Sequence, residues 1–195
     1  SVVIAADPTG ALIADALRDV WASTWSLQAY EERDFFRIDH ARVAMGVLTQ
    51  ESVDDDVVDG VAITANPFNE GRYGVFLNTQ LARDDGSAVT GARGDEVPEQ
   101  VLYYTYAAER EFERLSRSSR TPNGAPVLTD EEVYSVAQAL RAIHRHFLTV
   151  EVGMGARAMD VEFVLQRGTR RVFFVQARPV TVRYEDNRGW AREPE

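Results

Sequence analysis

The residues with the clearest chemical potential lie near the end of the chain. They are Asp160-Val161-Glu162-Phe163-Val164-Leu165, then Gly168, then Phe173-Phe174-Val175-Gln176-Ala177-Arg178-Pro179. Side chains alternate across a strand. In a hairpin, Val161, Phe163 and Leu165 share one face with Phe173, Val175 and Ala177. Asp160 and Glu162 then share the other face with Gln176 and Arg178. A three-residue loop, Gly168-Thr169-Arg170, is a common hairpin length and sets Glu162 opposite Gln176 and Asp160 opposite Arg178. Opposed residues have Cβ atoms about 4.5–5.5 Å apart, so two carboxylates, an amide and a guanidinium converge. Magnesium takes hard oxygen ligands, usually one or two carboxylates plus phosphates. Glu162 and Gln176 can supply that set, while Arg178 can offer its planar fork to phosphate oxygens. The same spacing suits a solvated strand face, with an Asp160–Arg178 pair worth about 0–1 kcal/mol. Spacing alone does not separate the two readings.

Several elements are expected to position this hairpin. Residues 1–5 read as a short strand. Asp7-Pro8 opens a helix to about residue 34, with Leu12, Ile13, Ala16, Leu17, Val20, Trp21 and Trp25 at helical spacing. Residues 43–48 read as a buried strand, 57–64 as another closed by Asn66-Pro67, and 73–79 as a third. Residues 82–99 read as a loop, 101–106 as a strand, 107–115 as a helix and 116–126 as a mobile connection. Thr129 and Glu132 have capping-box spacing. Val133, Val136, Ala137, Leu140, Ile143 and Phe147 follow on one helical face, before strands at 158–166 and 171–178. Strands mixed with two long helices predict an α+β layered domain over residues 1–184, followed by a polar tail, 185–195.

Composition narrows the function. The 195 residues suit one domain with a hydrophobic core. No apolar run approaches transmembrane length, and the N-terminus lacks the basic region of a signal peptide. There is no cysteine, which removes disulfides and thiolate chemistry; a cytoplasmic location is expected. The net charge of −10 argues against nucleic acid or an anionic membrane as partner. All 21 basic residues are arginine, so any step that needs a lysine must draw it from elsewhere. No Walker loop and no Gly-x-Ser-x-Gly elbow is present. His144 and His146 lie two apart on a helix and point in different directions, as helix-packing or surface residues do. Asp54-Asp55-Asp56 reads as a solvated turn, and Trp21 and Trp25 as core.

The segment Asp160-Val161-Glu162-Phe163 followed by Phe174-Val175-Gln176-Ala177-Arg178-Pro179-Val180-Thr181 resembles the end of the nucleotide-binding domain of the phosphoenolpyruvate synthase and pyruvate phosphate dikinase family, a motif shared by rifampin phosphotransferases. Other segments fit in order. They are Val20-Trp21-Ala22-Ser23 through Tyr30 and Arg33, Asp39-His40 through Gln50, Gly60 through Pro67, Val89-Thr90-Gly91, and Pro98-Glu99. The resemblance implies an ATP-grasp-like antiparallel or mixed sheet packed with helices, forming the C-terminal part of the nucleotide-binding domain. It implies ATP and magnesium as cofactors, Glu162 and Gln176 as metal ligands, Asp160 as their support and Arg178 as a phosphate-binding catalytic residue. Gln50 and Glu51 would pass the adenine edge, mainly through backbone groups.

The resemblance also implies partners: an N-terminal ATP-grasp half carrying an essential lysine, and a phosphoryl-acceptor domain. Where the family usually has a glutamate before its Val-Val-x-Gly element, this chain has Ser87. The expected function is therefore the ATP- and magnesium-binding part of a dikinase-type phosphotransferase, inactive alone. The alternative is a degenerate ATP-grasp module that binds a nucleotide or a protein without catalysis.

Overall fold

The computed structural model describes residues 10–53, 55–69, 71–83, 96–106, 110–150 and 158–180. The chain divides into two compact units, Ser1–Ser52 and Val53–Glu195. The expected strand at 1–5, most of the 82–99 loop and the polar tail lie outside the described residues.

In the first unit, the expected single helix is two: α1, Gly10–Ser23, and α2, Leu27–Phe35. Ser26 interrupts it, with an extended backbone and a hydroxyl that accepts from the Ala29 N–H at 3.3 Å. A serine that satisfies a free N–H at a new N-terminus favours a restart over a continuous turn. Trp21 and Trp25, expected in a core, are exposed. Arg33 is instead the buried centre. Its Nη1 donates to the Thr24 carbonyl at 2.6 Å, its Nε donates to His40 Nδ1 at 3.1 Å, and its guanidinium lies 5.2 Å from the Trp25 ring. His40 stacks on Tyr30 at 4.3 Å. Because Nδ1 accepts, it carries no proton. Residues 43–48 form no strand; Met45 and Leu48 are exposed. An apolar run becomes a strand only where a neighbour completes its ladder, and this run has none among the described residues.

The second unit is a six-stranded antiparallel sheet ordered β4-β3-β2-β1-β5-β6. The strands are β1 Asp56–Ile63, β2 Gly74–Leu81, β3 Glu99–Tyr104, β4 Phe112–Ser116, β5 Ala158–Gln166 and β6 Val172–Val180. One face carries the core: Val58, Ala62, Leu77, Val101, Val161, Phe163 and Leu165 pack against Val133, Val136, Ala137 and Leu140 of α3, Asp130–Val150. This is the expected α+β arrangement. Gly60, opposite Phe163, is required by close packing, since a Cβ there would lie 2.2 Å from the Phe163 ring. The capping box forms as read: Thr129 N–H donates to Glu132 Oε2 at 2.8 Å, and Glu132 N–H to Thr129 Oγ1 at 3.2 Å. Phe147, expected on the apolar face, is exposed.

The helix expected over 107–115 is replaced, in its described part, by β4. Phe112, Arg114 and Ser116 are half-buried while Glu113 and Leu115 are exposed, a period of two. Pairing with β3 overrides the helical preference of the residues. Arg114 points inward, where its Nη1 meets Oε1 of the fully buried Glu99 at 2.6 Å. Glu99 Oε2 accepts from the Leu128 N–H at 3.1 Å. Losing one partner of such a buried pair typically costs about 3–5 kcal/mol. The connection 116–126 is held rather than mobile. Ser118 is buried and donates to Gln80, Arg120 Nη1 donates to the Leu81 carbonyl at 2.6 Å, and Asn123 and Gly124 take positive φ to turn the chain.

Candidate functional site

β5 and β6 bring together four of the singled-out residues. Asp160 lies opposite Arg178, and Glu162 opposite Gln176. The route to that register differs from the one expected. Leu165 pairs with Val172 and Phe163 with Phe174, so the turn is one residue longer than supposed. A bulge between Glu162 and Phe163 then restores the alignment. Hence Phe174, not Val175, stands against Phe163, with ring centroids 6.1 Å apart, and Val172, not Phe173, opposes Leu165. Bulges re-aim side chains at functional edges; this one keeps Gln176 and Arg178 on the face of the carboxylates.

Arg178 Nε and Nη2 both donate to Asp160 Oδ2, at 2.8 and 2.7 Å. The Arg178 side chain is 66% exposed and that of Asp160 only 16%. One side of the guanidinium is engaged while the group itself stands in solvent, within reach of an anion. Gln176 Nε2 donates to Glu162 Oε1 at 3.3 Å, leaving the amide oxygen free of that contact. Among the described residues no three Asp, Glu, His or Cys side chains cluster as a metal cage. Two protein oxygens plus phosphate and water suit magnesium all the same, and Glu162 with the Gln176 amide oxygen is such a pair. It fits once the amide turns its oxygen toward the metal.

Around this hairpin the second face of the sheet carries further polar groups that the sequence reading did not single out. Glu162 opposes Val61, and Val61 opposes Asn78. Asp59, two residues before Val61, is diagonal to Glu162. Burial, together with a hydrogen bond and negative charge from Asp56, pushes the Asp59 carboxyl up to about 7, against the pull of Arg120. The signal was available: Phe76, Asn78 and Gln80 alternate with Val75, Leu77 and Thr79 along β2.

Gln50 and Glu51 belong to the first unit, in exposed chain without regular structure. Ser87 and Val89-Thr90-Gly91 lie outside the described residues. His144 packs as expected of a helix residue. Thr64 Oγ1 accepts from the Met159 N–H at 2.8 Å and lies in hydrogen-bond contact with His144 Nδ1, 2.7 Å away. Burial lowers the His144 pKa, in keeping with a neutral ring.

A family model, "Pyruvate phosphate dikinase, AMP/ATP-binding domain", matches residues 9–194. The chain belongs to this family. Among curated relatives, the probable phosphoenolpyruvate synthase of Pyrococcus abyssi is 24% identical over 194 residues, 87% of this chain and 22% of that protein. The phosphoenolpyruvate synthase of Pyrococcus furiosus is 23% identical over 199 residues, 89% of this chain and again 22% of the relative. The chain thus spans about a fifth of the length of the relatives it matches. The match makes it an AMP/ATP-binding module of the phosphoenolpyruvate synthase and pyruvate phosphate dikinase type. No helix among the described residues is long and apolar enough to cross a membrane.

Proposed function

We propose that this chain is the magnesium- and ATP-binding part of a cytoplasmic phosphotransferase of the phosphoenolpyruvate synthase and pyruvate phosphate dikinase type. It would be the C-terminal portion of an ATP-grasp domain, ending near residue 184, and would work with an N-terminal half and a separate phosphoryl acceptor. The observation that carries the reading is the alignment of Glu162 with Gln176 one row from Asp160 with Arg178. Glu162 and the Gln176 amide oxygen would hold the magnesium ion, which supplies charge neutralisation on the phosphate oxygens. Asp160 orients Arg178 through two hydrogen bonds to one carboxylate oxygen. Arg178 keeps donors to spare and binds the transferred phosphoryl group, holding it in line. Gln50 and Glu51 would border the adenine. The missing lysine fits an N-terminal half that contributes one.

The test is Glu162→Gln in the parent enzyme, which keeps shape and removes charge. Losing charge stabilisation at a reacting phosphate lowers turnover on the order of a hundredfold or more, and melting should barely change because Glu162 is outside the core. Near-normal magnesium-dependent ATP turnover would rule the assignment out. Ser87, in place of the family's usual glutamate, favours a second reading, a nucleotide-binding module without catalysis. That reading wins if the parent binds Mg-ATP but cleaves none with any acceptor offered.

A further inference from the structure

The bulge in β6 moves two residues onto the site face that strict alternation from Arg178 would send to the core. Val164 alternates with the buried Phe163 and Leu165 and so shares the face of Asp160 and Glu162. Phe173 is paired with Val164 and projects from the same face. Arg171 lies two residues before Phe173, and its guanidinium stands 5.0 Å from the centre of the Phe173 ring. Both neighbouring arginines of the turn are paired, Arg167 with Asp55 and Arg170 with Glu132. Arg171 is exposed, and its guanidinium makes no hydrogen bond or ion pair among the described residues. Rows two residues apart along a strand are separated by roughly 7 Å. The Glu162–Gln176 row therefore has Arg178, held by Asp160, on one side. On the other side it has Arg171, held by the Phe173 ring. A guanidinium stacked on a ring is ordered in advance yet keeps its donors, and its planar fork fits phosphate oxygens.

We propose that Arg171 is a second phosphate-binding residue, which grips the phosphate chain on the side of the metal pair away from Arg178. The inference rests on the Mg-ATP reading above. It lays the phosphate chain along β6: the transferred group on Arg178, the metal at Glu162 and Gln176, and the phosphates nearer the nucleoside on Arg171.

The experiment is calorimetric titration of the full parent chain with Mg-ATP and with magnesium tripolyphosphate, in the wild type, Arg171→Gln, Arg167→Gln and Glu162→Gln. Arg171→Gln should weaken both ligands about tenfold, the size of one charge-assisted hydrogen bond. The melting temperature of the ligand-free variant should hold, because the side chain is exposed. Arg167→Gln makes the same charge change in the same turn and should leave both affinities unchanged. Equal weakening by Arg167→Gln and Arg171→Gln would reduce the effect to long-range charge and overturn the inference. So would unchanged affinity in Arg171→Gln, or a fall of several degrees in its melting temperature. If Glu162→Gln weakens both ligands while Arg171→Gln weakens neither, the Mg-ATP reading stands and this one fails. A wild-type chain that binds no Mg-ATP removes both.

Discussion

The two units of the chain are held together by different physics. In Val53–Glu195 a continuous apolar cluster joins α3 to one face of the sheet. In Ser1–Ser52 the only buried residues among those described are Thr24 and Arg33. There the organising contacts are a guanidinium on a carbonyl and an imidazole, and a tyrosine–histidine stack. Trp25, Leu27, Phe35, Phe36 and Leu48 remain exposed. Two short helices around one arginine gain little from apolar burial, which supplies most folding free energy. Among the described residues, then, the unit carrying Glu162 and Gln176 is the one with an apolar core.

Cutting the chain would break this comparison most directly. Residues 53–184 alone should show a cooperative thermal transition with mixed helix and strand circular dichroism. Residues 1–52 alone should show no transition. A cooperative transition in the shorter piece would refute the contrast.

Matched truncations sharpen it. Leu140→Ala removes a fully buried side chain of α3 and should cost about 2–5 kcal/mol in denaturant unfolding. Leu48→Ala, at a residue 80% exposed, should stay within about 0.5 kcal/mol. Equal losses would mean that the first unit hides a core of its own.

A pH-dependent effect concerns the second face of the sheet. The folded-state carboxyl of Asp59 titrates near 7, above its ordinary value of 3.8. The folded chain thus holds that proton more tightly than the unfolded chain does. This contribution is favourable at low pH, is lost as pH rises from about 4 to 7, and is flat above. Asp59→Asn should therefore raise the melting temperature at pH 8 and have little effect near pH 4. A melting difference independent of pH would show that Asp59 titrates normally.

The sequence was most informative where local geometry and burial agree. The Thr129–Glu132 box and the apolar face of α3 from Val133 to Leu140 are local, and the structure repeats them. Strands β1, β2 and β3 were legible as short apolar, β-branched or aromatic runs, the first closed by Asn66-Pro67. The pairing of Glu162 with Gln176 was reached through two offsetting differences, a longer turn and a bulge, neither of which leaves a mark in the residue pattern. Non-local pairing decided the rest. Phe112 to Ser116 is a strand because β3 is beside it, while residues 43–48, as apolar as any strand, have no strand partner among the described residues. The polar face around Asp59 and Asn78 was readable by alternation, but its burial depends on neighbours that the sequence does not reveal.

The turn between β5 and β6 has one further consequence. Arg170 takes a positive φ there and grips Glu132 with Nε and Nη2, each at 2.7 Å. Arg167 N–H donates to the Asp55 carbonyl at 2.7 Å. Glu132 is also the capping residue of α3, and its pKa is lowered because Arg170 and Thr129 together outweigh the opposing effect of burial. Hairpin tips are ordinarily where peptide tags, fluorescent labels and circular-permutation breaks are placed with least harm. This tip is a rivet between helix and sheet. A label inserted at Thr169 would loosen α3 and shift the alignment of Glu162 with Gln176 together, so protein engineers should place their insertions elsewhere.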